Sequence, residues 1–291
     1  YRTCRLSNQE YFERLHEDPQ KWGKPMQALL GLIEAQLAFE TPSIGGKDSM
    51  SGTFNQLHVP PTLITFAVTT AKSDQIISPE FKKAGNYIYV IAHHPHADHT
   101  PDYDELKQNF DKVRELIRKG TIVSAATVKF GGMAEAICKM SFGNHIGAAC
   151  RSELSFYDLM PGSIVVEASE SILDDSFTLL GITTEEKDIV LNEEKVSIDA
   201  AIRAWRERYE AIYPVRVDED KRKITTPEYT SAQALKPKQP IERPKVIIPV
   251  FPGQNCEYDT AQQFARAGAE VETYGFNNLN VESIERSLKE L

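Results

Sequence analysis

At 291 residues and about 150 residues per domain, length alone predicts about two domains. The chain carries 33 Lys and Arg against 42 Asp and Glu, a formal charge of −9, with 41% hydrophobic residues. This is the balance of a globular protein, and it argues against a nucleic-acid binder, which needs a basic face to displace counterions from phosphates. An acidic chain can still hold a small phosphate ligand, because a single loop does that locally.

No apolar run reaches the roughly 18 residues that a membrane span requires, and residues 1–20 are polar and charged, without the apolar stretch of a signal peptide. Cys4, Cys138, Cys150 and Cys256 lie far apart and form no C-x-x-C pair. The pattern predicts neither a disulfide framework nor a zinc site, and fits a reducing, cytoplasmic compartment. The chain opens on Tyr1 and stops at Lys289-Glu290-Leu291, inside a predicted helix, so it reads as a piece of a longer polypeptide.

In chain order, residues 26–39 place Leu29, Leu30, Ile33 and Leu37 at helical spacing. A loop is predicted over 41–52. Residues 63–68 and 87–91 read as strands. Residues 102–119 form a helix with Leu106, Phe110, Val113 and Ile117 on one face and Gly120 as its stop. A strand over 122–128 runs into Gly131-Gly132, where a helix over 133–140 begins, and strands follow at 163–167 and 177–180. Residues 85–197 thus make one mixed α/β unit.

Asp199 is a candidate cap for a helix presenting Ile202, Trp205, Tyr209 and Ile212 on one face. Residues 214–244 contain five prolines and read as a linker or as an extended surface arm. Beyond them come a strand at 245–251, weakened by Pro249, a helix at 260–267, a strand at 270–274 and a helix at 281–291. That order opens a doubly wound parallel sheet, and the fold class is α/β.

The segment Gly45-Gly46-Lys47-Asp48-Ser49-Met50-Ser51 carries the most chemical information. Two glycines let backbone N–H groups approach an anion and can adopt positive φ to form a nest. Lys47 adds charge, Ser49 and Ser51 offer hydroxyls, and Asp48 suits Mg²⁺ beside a phosphate. It is not a Walker A loop, because Thr41 and Asp48 stand where that pattern needs Gly and Ser or Thr. A plain turn explains the same composition.

A strand also ends in glycines at Lys129-Phe130-Gly131-Gly132, opening a helix whose N-terminus can receive an anion. A tight strand-to-helix turn is the simpler alternative. His93 to His99 gathers four of the seven histidines, a composition suited to zinc or nickel, but Pro95 prevents helical alignment and an exposed loop accounts for it equally. Cys256 follows a strand, where a thiol nucleophile can sit, but it lacks the G-x-C-x-G setting and no histidine follows it.

Three segments resemble one family when taken together. Residues 42–51 are similar to the G-K-D-S-M-S loop of phosphoribosylformylglycinamidine synthase, residues 126–144 resemble the matching helix entry of its clostridial type, and residues 243–257 resemble the start of its glutaminase domain. The resemblance implies an ATP-dependent ligase of purine synthesis that makes formylglycinamidine ribonucleotide from formylglycinamide ribonucleotide, ATP and glutamine, with Mg²⁺. Residues 1–84 would then end the second N-type synthetase domain. Residues 85–197 would be the second C-type domain, an α+β unit with a mixed sheet. Residues 198–244 would be a helix and linker, and 245–291 the truncated opening of a class I glutaminase.

By that resemblance Gly45, Gly46, Lys47 and Asp48 face nucleotide or phosphate and Ser49 faces substrate. Lys129, Gly131 and Gly132 face a second phosphate, although Thr127 and Lys129 replace the Asp and Ser of the proteobacterial type there. No catalytic residue is assigned, and Cys256 does not match the glutaminase nucleophile. The chain by itself is therefore expected to be inactive, its partners being the rest of the same polypeptide and the small-molecule substrates, with neither nucleic acid nor membrane. The two alternatives are a free-standing thiol amidotransferase or hydrolase using Cys256, and a metal-binding module built on His93 to His99.

Overall fold

The computed structural model describes residues 3–215 and 239–291. The chain folds as two compact units, Tyr1–Asp218 and Glu219–Leu291, with a mixed α/β architecture. Most of the proline-rich segment, residues 216–238, lies outside the described residues.

The first unit opens with strand β1 (Arg5–Tyr11), helix α1 (Pro19–Phe39), and strands β2 (Ser43–Ser49), β3 (Thr53–Phe54), β4 (Leu57–His58) and β5 (Thr62–Val68). The expected loop over 41–52 is therefore mostly strand. β2 runs parallel to β1, and β5 antiparallel to it, in a three-stranded sheet of order β2-β1-β5. The strand was hidden because neither β2 nor its central partner, Arg-Leu-Ser-Asn-Gln-Glu-Tyr over 5–11, has apolar alternation. α1 starts seven residues before the predicted helix. Asp18 caps it, accepting from the Gln20 N–H at 3.0 Å, and Pro25 lies in its interior.

A larger sheet follows from β6 (Tyr87–Ile91), β7 (Ile122–Thr127), β8 (Gly147–Cys150), β9 (Ile164–Ala168), β10 (Phe177–Thr184), β11 (Asp188–Leu191) and β12 (Glu194–Ser197). Its seven strands are ordered β12-β11-β8-β10-β6-β9-β7, with antiparallel pairs throughout except the parallel pair β11–β8. β6 alternates two buried sets: Ile88 and Val90 join one core with Met133, Ile137 and Met140, while Tyr89 and Ile91 join the other with Val113 and Val166.

Helix α2 (Tyr103–Lys119) serves the second core. Asp102 caps its start, accepting from the N–H groups of Asp104 and Glu105, and Gly120 closes it at φ 80°. Helix α3 (Gly132–Phe142) serves the first core, and helix α4 (Ile198–Glu210) is capped by the Ser197 hydroxyl rather than by Asp199. A buried carboxylate ties the segment before β6 to this sheet. Glu167, fully buried, accepts from the Lys82 and Lys83 N–H groups, the Asn86 amide and the Ser124 hydroxyl.

The second unit holds strand β13 (Lys245–Val250), helix α5 (Glu257–Arg266), strand β14 (Glu270–Gly275) and helix α6 (Val281–Glu290). The two strands pair in parallel, and Pro249 sits opposite Tyr274 within the ladder. A two-stranded sheet has only edges, so Pro249 is accommodated without costing a central hydrogen bond. No helix among the described residues is long and apolar enough to cross a membrane.

Candidate functional site

The predicted phosphate segment lies on β2, and the alternation of a strand sorts its residues. In register with β1, Gly46 faces Asn8, Lys47 faces Gln9, Asp48 faces Glu10 and Ser49 faces Tyr11. Asp48 and Glu10 therefore share one face, while Lys47 and Ser49 share the other with Gln9 and Tyr11. Lys47 Nζ stands 4.5 Å from the centre of the Tyr11 ring, and the Ser49 and Ser51 hydroxyls are 3.3 Å apart. One strand thus separates the cation and hydroxyls from the carboxylate that the sequence placed beside them.

The glycines serve packing more than a nest. Neither Gly45 nor Gly46 has positive φ, so no left-handed nest forms. A Cβ on Gly46 would stand 2.2 Å from the Asn8 carbonyl oxygen, whereas one on Gly45 would meet nothing within 4 Å. Gly46 is there because β1 and β2 approach closely.

Glu10 and Asp48 form a like-charged pair. The Glu10 carboxyl is pushed up from its ordinary pKa, first by burial and then by the charge of Asp48. Two adjacent carboxylates on one face are hard oxygen donors suited to Mg²⁺, which takes one or two carboxylates and keeps the rest of its shell for water or phosphate. Glu10 was not legible as a site residue, because nothing in residues 5–11 announces the strand that aims it.

The second predicted segment is also built differently from the expectation. Lys129 and Gly132 form an isolated bridge, Gly132 takes φ 68°, where a Cβ would stand 2.4 Å from the Phe156 carbonyl oxygen, and α3 begins there. Three N–H groups that an anion would use are already engaged. Gly131 donates to the Glu135 carboxylate at 2.9 Å, Gly132 donates to the Lys129 carbonyl at 3.0 Å and Ala134 to the Phe156 carbonyl at 2.8 Å.

Glu135 also accepts from Lys139 Nζ at 2.5 Å, and these two contacts, Lys139 first, hold its carboxyl below the ordinary range. The helix N-terminus thus carries an internal anion, at a spacing close to that of a capping box. Beside it a cavity of about 410 Å³ is lined by Thr127, Lys129, Glu135 and Lys139. Among the described residues no hydrogen bond or ion pair links this segment to Gly45–Ser49.

The histidine tract and Cys256 resolve simply. His93 is buried; its Nε2 accepts from the Asp102 N–H at 3.1 Å, so its Nδ1 donates to the Pro161 carbonyl at 2.8 Å. Both ring nitrogens are thereby committed. His94 Nδ1 is 2.8 Å from Glu105. Among the described residues no three His, Cys, Asp or Glu side chains are grouped to hold a metal. Cys256 is exposed and left-handed, φ 68°, at the start of α5, but the second unit contains no histidine to act as its base.

No protein-family model matches the chain. It is 24% identical over 231 residues to phosphoribosylformylglycinamidine synthase subunit PurL of Pelagibacter ubique, covering 66% of this chain and 32% of that protein. It is 20% identical over 244 residues to the subunit of the same name from Methanocaldococcus jannaschii, covering 70% and 33%. In backbone it is similar to T. maritima PurL complexed with ATP, with a TM-score of 0.52 at 12% identity, covering 80% of this chain and 42% of that one. For the structure of PurLQS from Thermotoga maritima the TM-score is 0.55 at the same identity and coverage. The chain spans about a third of the length of the curated relatives it matches. At low identity and over part of its length, this chain is homologous to the PurL phosphoribosylformylglycinamidine synthases.

Proposed function

We propose that the chain is a section of an ATP-dependent carbon–nitrogen ligase that converts formylglycinamide ribonucleotide, ATP and glutamine to formylglycinamidine ribonucleotide in purine synthesis. The carrying observation is that sequence and backbone similarity fall on the same enzyme name over most of the chain. In this reading residues 1–84 close an N-type synthetase domain, 85–197 form a C-type domain, 198–244 connect, and 245–291 open a doubly wound glutaminase domain. The compartment is the cytoplasm.

Within the site, Asp48 and Glu10 would hold Mg²⁺ on the face of β2 that Gly46 shares, while on the other face Gly45 and Lys47 would border phosphate and Ser49 would meet the substrate. Bound Mg²⁺·ATP supplies the activation of the formamide oxygen. The side chains of this chain contribute orientation and charge neutralisation, the largest share of catalysis in phosphoryl transfer. Lys129 and the turn at Gly131 and Gly132 form a second phosphate-facing segment, for which an incoming anion competes with Glu135.

Ammonia comes from glutamine hydrolysis elsewhere in the same polypeptide, not from Cys256, so the 291-residue chain alone is inactive. The test is to join the chain to the remaining polypeptide and follow ATP- and glutamine-dependent formylglycinamidine ribonucleotide formation. Turnover that falls at least about tenfold with Asp48→Asn supports the reading. An intact polypeptide without that turnover, or one indifferent to Asp48, overturns it.

A further inference from the structure

The first unit has a second cavity, of about 560 Å³, at the other end of β5 from the Asp48 rung. Its volume lies in the range of small-ligand pockets. Its lining combines apolar Phe110, Val113 and Ile117 of α2 with Ile164, the hydroxyls of Thr69 and Thr70, and the guanidinium groups of Arg114 and Arg118.

The two arginines are one helical turn apart and share a face. Among the described residues neither has an ion-pair or hydrogen-bond partner. Of the two acidic residues beside them on α2, Asp111 and Glu115, the latter pairs with Lys119 at 2.6 Å. Arg118 complements the carbonyl end of α2, but that effect fades beyond the last turn and does not account for Arg114. Two adjacent free guanidinium groups match the geometry of a dianionic phosphate, which accepts paired N–H donors. The apolar lining beside them suits a ligand whose phosphate is attached to a flat apolar ring.

We propose that this cavity binds a phosphomonoester carrying a flat apolar ring, its phosphate held by Arg114 and Arg118 and its ring seated on Phe110 and Ile117. The site is separate from the β1–β2 rung and does not depend on the ligase reading.

Calorimetric titration of the full chain with phenyl phosphate, inorganic phosphate and phenol tests the assignment. Phenyl phosphate is expected to bind saturably and at least about tenfold more tightly than either half-ligand. Arg114→Gln with Arg118→Gln is expected to weaken it by about tenfold or more. Methyl NMR shifts of Ile117 and Val113 in the unsubstituted chain report occupancy without any variant. Absence of saturable binding, equal affinity for inorganic phosphate, or retained affinity in the double variant would each overturn the proposal.

Discussion

Glu10 on β1 stands directly opposite Asp48 on β2 in a parallel register, and the second charge helps push the Glu10 carboxyl up from its ordinary pKa. A carboxyl raised in the folded state stabilises the fold below its unfolded pKa and loses that contribution as pH rises through the folded value. Near neutral pH the pair is therefore a mild liability. Glu10→Gln is expected to raise stability there by about 0.5 kcal/mol, the scale of like charges facing across strands. The same change is expected to weaken Mg²⁺-dependent nucleotide binding. Urea denaturation and calorimetry with and without Mg²⁺ check both halves.

Gly46→Ala brings a Cβ to 2.2 Å from the Asn8 carbonyl oxygen, with no flexible side chain to yield. The expected cost is about 1–3 kcal/mol, concentrated in detachment of β2. Gly45→Ala, in open space, is the matched control and is expected to be neutral. Amide exchange over residues 43–49 in the two variants separates them.

Glu167 is the buried acceptor for four donor residues, including the Asn86 amide at 2.7 Å and the Lys82 N–H at 2.8 Å. Glu167→Gln places an NH₂ group among N–H donors and leaves part of that set unpaired. A loss of about 3 kcal/mol is expected, measured by the urea midpoint, with proteolysis first at the segment before β6.

Glu135→Gln removes the negative charge that now occupies the N–H of Gly131 and pairs with Lys139. Anion binding at this turn is expected to strengthen by about tenfold, and Lys129→Ala in the same background to reverse that gain. Titration with inorganic phosphate measures each step.

Glu13 is held down to a pKa of about 2, first by Lys24 and then by Lys21, whose ammonium groups stand at 2.6 and 2.9 Å. A depressed carboxyl contributes stability above its unfolded pKa and loses it as pH falls through the folded value. The chain is expected to lose stability from about pH 4.5 down to about 2, and Glu13→Gln to flatten that limb. Thermal melts across this range decide.

Some of this protein follows from local sequence. β6 (Tyr87–Ile91) and α2, with Asp102 and Gly120 at its ends, form as predicted, because apolar period and cap chemistry are properties of neighbouring residues. The elements of the second unit were likewise legible. β1, β8, β11 and β12 were not, because each is short or polar and becomes a strand only when a distant partner offers its hydrogen bonds.

The candidate site divides in the same way. Residue types in 45–49 and 129–132 suggested phosphate chemistry, but the side each one faces depended on a strand that the sequence did not announce. Composition supplied the charges and glycines. Only the tertiary register paired Asp48 with Glu10, turned Lys47 toward Tyr11 and set Glu135 on the N–H of Gly131, because strand alternation and backbone approach are decided by which segments meet.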